Sequence, residues 1–211
     1  MPKTTYDAAL QASTGRRGWG VNTLSNVTAA ATVLAQAAAT IHTGGTNSTT
    51  AVGLFRNAWL LVAKQGSNPN AAAIRDTNIA SWVGQQLALQ TTPALLVVND
   101  SYPTQTGFHA EMMIIRYVVV GAQVTKAALQ NELIIGVTKG CCRDCAGFLN
   151  KYHVPHNVPV DALSNPVEPT PTDQWMHPTS GAVSAGGATL ETYRHPGSTK
   201  TLSRLDDFEY Y

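Results

Sequence analysis

The 211-residue chain has little charge, few aromatics and almost no cysteine. Charged residues make up 13% of it, about half the usual share. The formal net charge is +1, so no global basic field marks out a nucleic-acid partner, although a local patch would suffice. No apolar run approaches the roughly 20 residues that span a bilayer, so no membrane helix is expected. The start, Met1 to Asp7, has no apolar stretch behind Lys3. A secretory signal is therefore not expected, and the cytoplasm is the expected location. Cysteine is confined to Cys141, Cys142 and Cys145. A disulfide scaffold would scatter an even number along the chain. Clustered thiols instead point to a reducing compartment and to metal or redox chemistry. What the chain does have is apolar residues, 44% of the total, enough for one full core.

Leu24, Val27, Ala31, Leu34, Ala38 and Ile41 recur at the helical period and predict a first helix, capped by Asn22 or Thr23. Val52, Phe55, Trp59 and Val62 predict a second helix from about Thr50 to Lys64. Ile74, Ile79 and Trp82 predict a third over 71–83. The pattern then changes. Residues 86–90, the turn Thr91-Thr92-Pro93 and residues 94–99 read as a hairpin. A buried helix is expected from His109 to about Val120, and a buried strand over 133–137. A short helix follows over 142–152, and Val158-Pro159-Val160 reads as a further strand. Residues 164–189 are rich in Pro, Thr, Ser, Gly and Ala, which implies an extended wrap rather than a domain. The expected fold class is α/β with a mixed central sheet. Residues 1–84 form a helical extension or an enlarged first helix layer, 85–163 the core, and 164–211 a C-terminal wrap of the same domain.

Two short motifs carry the chemistry. His109-Ala110-Glu111 opens one expected helix, and Cys142-Arg143-Asp144-Cys145 opens another. Catalytic zinc sites take three protein ligands and leave a fourth position for water. His109, Cys142 and Cys145 would supply the three, with two thiolate charges to balance Zn2+. Helix N-termini favour thiolate and lower its pKa. Glu111, two residues from His109, would act as the proton shuttle rather than as a ligand. Phe108 and Tyr102 lie in the loop entering the site, where they would stack on a substrate base or, for Phe108, pack in the core. Lys139 and Arg143, with Lys151 nearby, would form a phosphate-contacting rim or merely a solvated one.

The H-x-E and C-x-x-C pair, in this order and each at a helix start, is the signature of zinc nucleobase deaminases. Over residues 85–160 the chain resembles the cytidine deaminase-like superfamily. The stretch from His109 to Arg116 is similar to the corresponding helix of tRNA adenosine deaminases, as is Cys145-Ala146-Gly147. Cys141 stands where that family usually has proline, and the tryptophan-serine pair of vertebrate DNA cytosine deaminases is absent. The branch implied is the divergent bacterial toxin type. The resemblance implies a three-layer α/β/α deaminase fold and hydrolysis of cytosine to uracil in nucleic acid, with single-stranded DNA favoured. It implies that Asn99 binds the sugar and that the backbone N–H groups of Ala110 and Cys142 hold the base. A toxin would also imply an immunity protein as partner. Adenine in RNA, or a free nucleoside, is the second substrate reading.

A different class stays open. Cys142 and Cys145 with His153 and His156 read as C-x2-C-x7-H-x2-H, a non-enzymatic zinc module, although its central gap is shorter than the roughly 12–15 residues usual there. A redox dithiol is the remaining reading of the cysteine pair.

Overall fold

The computed structural model describes residues 24–43, 48–65, 70–98, 108–139, 143–157 and 178, together with three short strands near the C-terminus. Helix α1 spans Leu24–Ile41. Strands β1 (Thr50–Phe55) and β2 (Trp59–Lys64) follow. Helices α2 (Ala71–Asp76) and α3 (Ile79–Gln86) lead to β3 (Ala94–Val97). Helix α4 (Ala110–Arg116) continues into a π-helical turn over Tyr117–Gly121. A 3₁₀ turn and α5 (Leu129–Glu132) precede β4 (Leu133–Val137), and α6 covers Arg143–Lys151. Three short strands, β5 (Val183–Ser184), β6 (Tyr193–Arg194) and β7 (Thr201–Leu202), pair antiparallel in a separate small sheet. None of the described helices is long and apolar enough to cross a membrane.

The expected α/β class with a mixed sheet is present. Four strands lie in the order β3-β2-β1-β4. Strand β1 is antiparallel to both of its neighbours, and β3 is parallel to β2. It follows that β2, β3 and β4 all point the same way, with their C-terminal ends along one rim of the sheet. In chain order α4 follows β3 and α6 follows β4. Ligand sites in α/β sheets gather at such a rim.

Two apolar clusters lie on opposite faces of this sheet. Ala51, Phe55, Leu61, Ala63, Ile135 and Val137 join residues of α4 and α6. Val52, Leu54, Leu60, Val62 and Ile134 join residues of α1, α2 and α3. Each fully buried aliphatic or aromatic side chain contributes about 1.5–3 kcal/mol. Helix α1 buries Ala30, Ala31, Leu34, Ala37, Ala38 and Ile41. These are mostly small residues at helical spacing, and they let its backbone come close to the sheet.

Gly136 makes that approach workable. A Cβ built there would overlap the backbone of Leu34 and Ala35 and lie 2.6 Å from the Leu34 Cβ. Backbone cannot step aside as a side-chain tip can. Gly136→Ala is therefore expected to destabilise the protein by about 1–3 kcal/mol or more. A lower urea midpoint with an unchanged slope would register that loss.

The segment expected as a helix over 50–64 is instead the hairpin β1–β2, and it supplies the two central strands. Every residue of β1 is buried, because apolar layers cover both faces. A strand of this kind shows no period-two alternation, so the chance spacing of Val52, Phe55, Trp59 and Val62 mimics a helix. The turn carries no glycine signal either. Arg56 and Asn57 both take positive φ, at 54° each. That conformation is held from outside the hairpin. The Arg56 backbone N–H donates to the Glu132 carbonyl at 2.7 Å, and its side chain pairs with the Glu132 carboxylate at 2.8 Å.

The expected 86–90 hairpin arm is also corrected. Gln86 ends α3, residues 87–88 turn, and β3 pairs parallel with β2 rather than antiparallel with that arm. The helices near 24–41, 109–120 and 142–152 and the strand at 133–137 fall where they were expected, whereas the single helix expected over 71–83 is two, α2 and α3, broken at Asn78, whose φ is 53°. Past α6 the chain comes back beside β4. Ile135 and His156 form a parallel bridge, and the Ile135 N–H donates to the Pro155 carbonyl at 2.9 Å. The Asn157 side chain satisfies both backbone groups of Val137, at 2.7 and 3.0 Å. The strand expected at 158–160 lies outside the described residues, as do the expected caps Asn22 and Thr23.

Candidate metal centre

His109 is the residue that caps α4. Its backbone is extended (φ −71°, ψ 154°), and its carbonyl accepts from the Met113 N–H at 3.0 Å. Glu111 lies in the first turn of α4, where the helix dipole favours an acid. Cys145 lies in the first turn of α6. Residues 36 positions apart in the chain therefore meet where the two helices begin. The Cys145 Sγ is 3.5 Å from the His109 Nδ1. One ligand atom each from His109, Glu111 and Cys145 all fall within 4.8 Å of one another.

The three side chains are 6%, 2% and 0% exposed respectively, so water screens this group little. Among the described residues, Glu111 Oε2 is a buried oxygen with no hydrogen-bond partner. An unsatisfied buried polar atom costs about 1–3 kcal/mol, and more if charged. A cation or a polarised water at this point would remove that cost. An imidazole nitrogen, a thiol sulfur and a carboxylate oxygen converging in an apolar shell could hold a metal ion.

Comparison with protein-family models, curated proteins and solved structures finds no match.

The other expected site residues divide. Ala110 is fully buried at the first position of α4, directly between His109 and Glu111. Phe108 is 4% exposed, packed in the α4–α6 core, with the Arg116 guanidinium 5.2 Å over its ring. Lys139 is exposed just beyond β4. Arg143 starts α6. Asn99, Tyr102 and Cys142 lie outside the described residues.

The two histidines of the rival zinc module are placed elsewhere. His153 is exposed with φ 51°. His156 is half-buried, and its Nδ1 donates to the Val154 carbonyl at 2.7 Å. Neither belongs to the group around Cys145. Burial pushes the pKa of His156 below its ordinary value, opposed by the Val154 carbonyl and the Glu111 carboxylate. His156 therefore feels the charge of the site. The sequence reading did not anticipate this, because the return of residues 154–157 beside β4 leaves no local pattern. Arg116, at the end of α4, is satisfied inside the protein. Nothing local foretold its partner, the carbonyl of Pro178, at 2.9 Å.

Proposed function

We propose that the chain is a zinc-dependent hydrolytic deaminase that converts cytosine to uracil in nucleic acid, with single-stranded DNA as the favoured substrate. The observation that carries this reading is the buried convergence of His109, Cys145 and Glu111 from the starts of two helices. Nitrogen and sulfur donors in a small buried site suit zinc better than magnesium or calcium. His109 and Cys145 would hold the ion, with Cys142 supplying the third ligand from the same motif. Bound zinc would lower the pKa of a water towards neutrality.

The remaining chemistry falls to this chain's own groups. The Glu111 carboxylate accepts a proton and returns it, first to the ring nitrogen and then to the departing ammonia. Its isolation from other donors leaves Oε2 available for that exchange. The Ala110 N–H, next in the chain to both functional residues, would help orient the base. Helices lie over both faces of the mixed sheet, α1, α2 and α3 on one side and α4 and α6 on the other, which supports a three-layer α/β/α deaminase arrangement. Single strands are favoured because a base must leave its stack to be reached, which costs least where it is unpaired.

The test is incubation of the zinc-loaded protein with single- and double-stranded oligonucleotides carrying C or A. Product is scored as C-to-U or A-to-I. Conversion of C in single strands, and far less in duplex, is the expected result. A-to-I conversion, or turnover of free cytidine alone, would replace the substrate. No conversion of any substrate, together with zinc bound through His153 and His156, would replace the enzyme with a zinc module.

A further inference from the structure

We infer that Arg116 is a positioning residue for His109, coupling Pro178 to the metal centre through Phe108. The inference rests on the metal reading above. Arg116 ends α4 and makes two contacts of different kinds. Its Nη1 donates to the Pro178 carbonyl at 2.9 Å, and its guanidinium carbon lies over the Phe108 ring, 5.2 Å from the ring centre. Both partners are buried. Phe108 is bonded directly to His109, and the imidazole of His109 is the group lying against Cys145.

This arrangement uses properties that only arginine combines. Its planar cation can donate in its plane while an aromatic ring packs against its face. Each contact restrains the other. The Pro178 carbonyl anchors one nitrogen of the guanidinium, and the anchored cation lies against the Phe108 ring. A fixed ring next in the chain to a metal ligand limits how far that ligand can swing. Residues that orient a ligand from outside commonly matter about 10–100-fold in metal affinity. Phe108 therefore acts through position rather than by stacking on substrate, and residue 178 influences a site it does not touch.

Cobalt(II) titration of the full-length protein against a competing chelator tests this, with the thiolate-to-cobalt absorption band as a second readout. Arg116→Ala and Phe108→Leu are each expected to weaken cobalt binding about 10–100-fold and to shift the band. The double variant should bind no more weakly than the worse single variant, because both act along one route. Arg116→Lys should recover part of the affinity. Wild-type affinity and spectrum in Arg116→Ala, with only a lower melting temperature, would overturn the inference by making the residue merely structural. Losses that multiply in the double variant would overturn the shared route. If Arg116→Ala does not fold, Arg116→Lys and Phe108→Leu carry the test, and wild-type affinity in both overturns it. A wild-type chain that takes up no cobalt overturns the metal reading and this inference with it. Normal wild-type binding with unaffected variants overturns this inference alone.

Discussion

Glu111→Gln should reduce deamination by about 10²–10⁴-fold while the protein still takes up one zinc ion per chain. Glutamine keeps the size and one oxygen of the side chain but cannot carry a proton through the cycle. The buried position of Glu111, 2% exposed, leaves little room for bulk water to take over that role. The substitution also removes a buried carboxylate with an unpartnered oxygen. The variant should therefore be at least as stable as the parent in thermal melts of the metal-free protein. Loss of activity together with loss of zinc would make Glu111 a ligand instead. Its carboxylate lies close enough to His109 and Cys145 for that to be a real alternative. Full activity in the variant would remove Glu111 from the mechanism.

Replacing His109 or Cys145 with alanine should abolish stoichiometric zinc. The loss should exceed the roughly 10–100-fold that outer partners typically cost. Cys145 is fully buried in the core between α4 and α6, so Cys145→Ala also removes packing there. His109→Ala leaves the helix cap itself without a lost side-chain bond but opens space beside Cys145, so it should cost metal and activity together with a modest fall in the melting temperature of the metal-free protein. Replacing His153 and His156 together should leave zinc content intact, as measured by inductively coupled plasma mass spectrometry. The opposite pattern, with metal lost from the double-histidine variant and kept in His109→Ala, would favour the zinc-module reading.

How far the site could be read in advance differs residue by residue. His109 and Glu111 were legible because two residues on one helix turn are placed relative to each other by the helix itself. Cys145 was legible as a thiol at a helix start for the same reason. That each motif opens a helix following a strand was legible; that the two helix starts meet is seen only in the folded chain, because β3 and β4 are the opposite edges of the sheet. Phe108 could be read equally as core or as a stacking surface. Its packing against Arg116 is a property of the folded chain.

The hairpin over 50–64 marks the limit most clearly. Once both faces of β1 are covered, selection for an apolar residue acts at every position, and the alternation that would announce a strand disappears. Its turn was equally silent. Arg56 and Asn57 adopt positive φ without glycine because Glu132, far along the chain, supplies the compensating contacts.

Local order in the residues determined the helix starts, the apolar run at 133–137 and the chemical character of the ligands, since these depend on neighbours within a turn or two. Only the tertiary structure decided which segments became central strands, why Gly136 must lack a side chain against α1, and which distant carbonyl Arg116 meets. Those depend on what packs from across the molecule, and no spacing along a single chain encodes the identity of a neighbour that arrives from elsewhere.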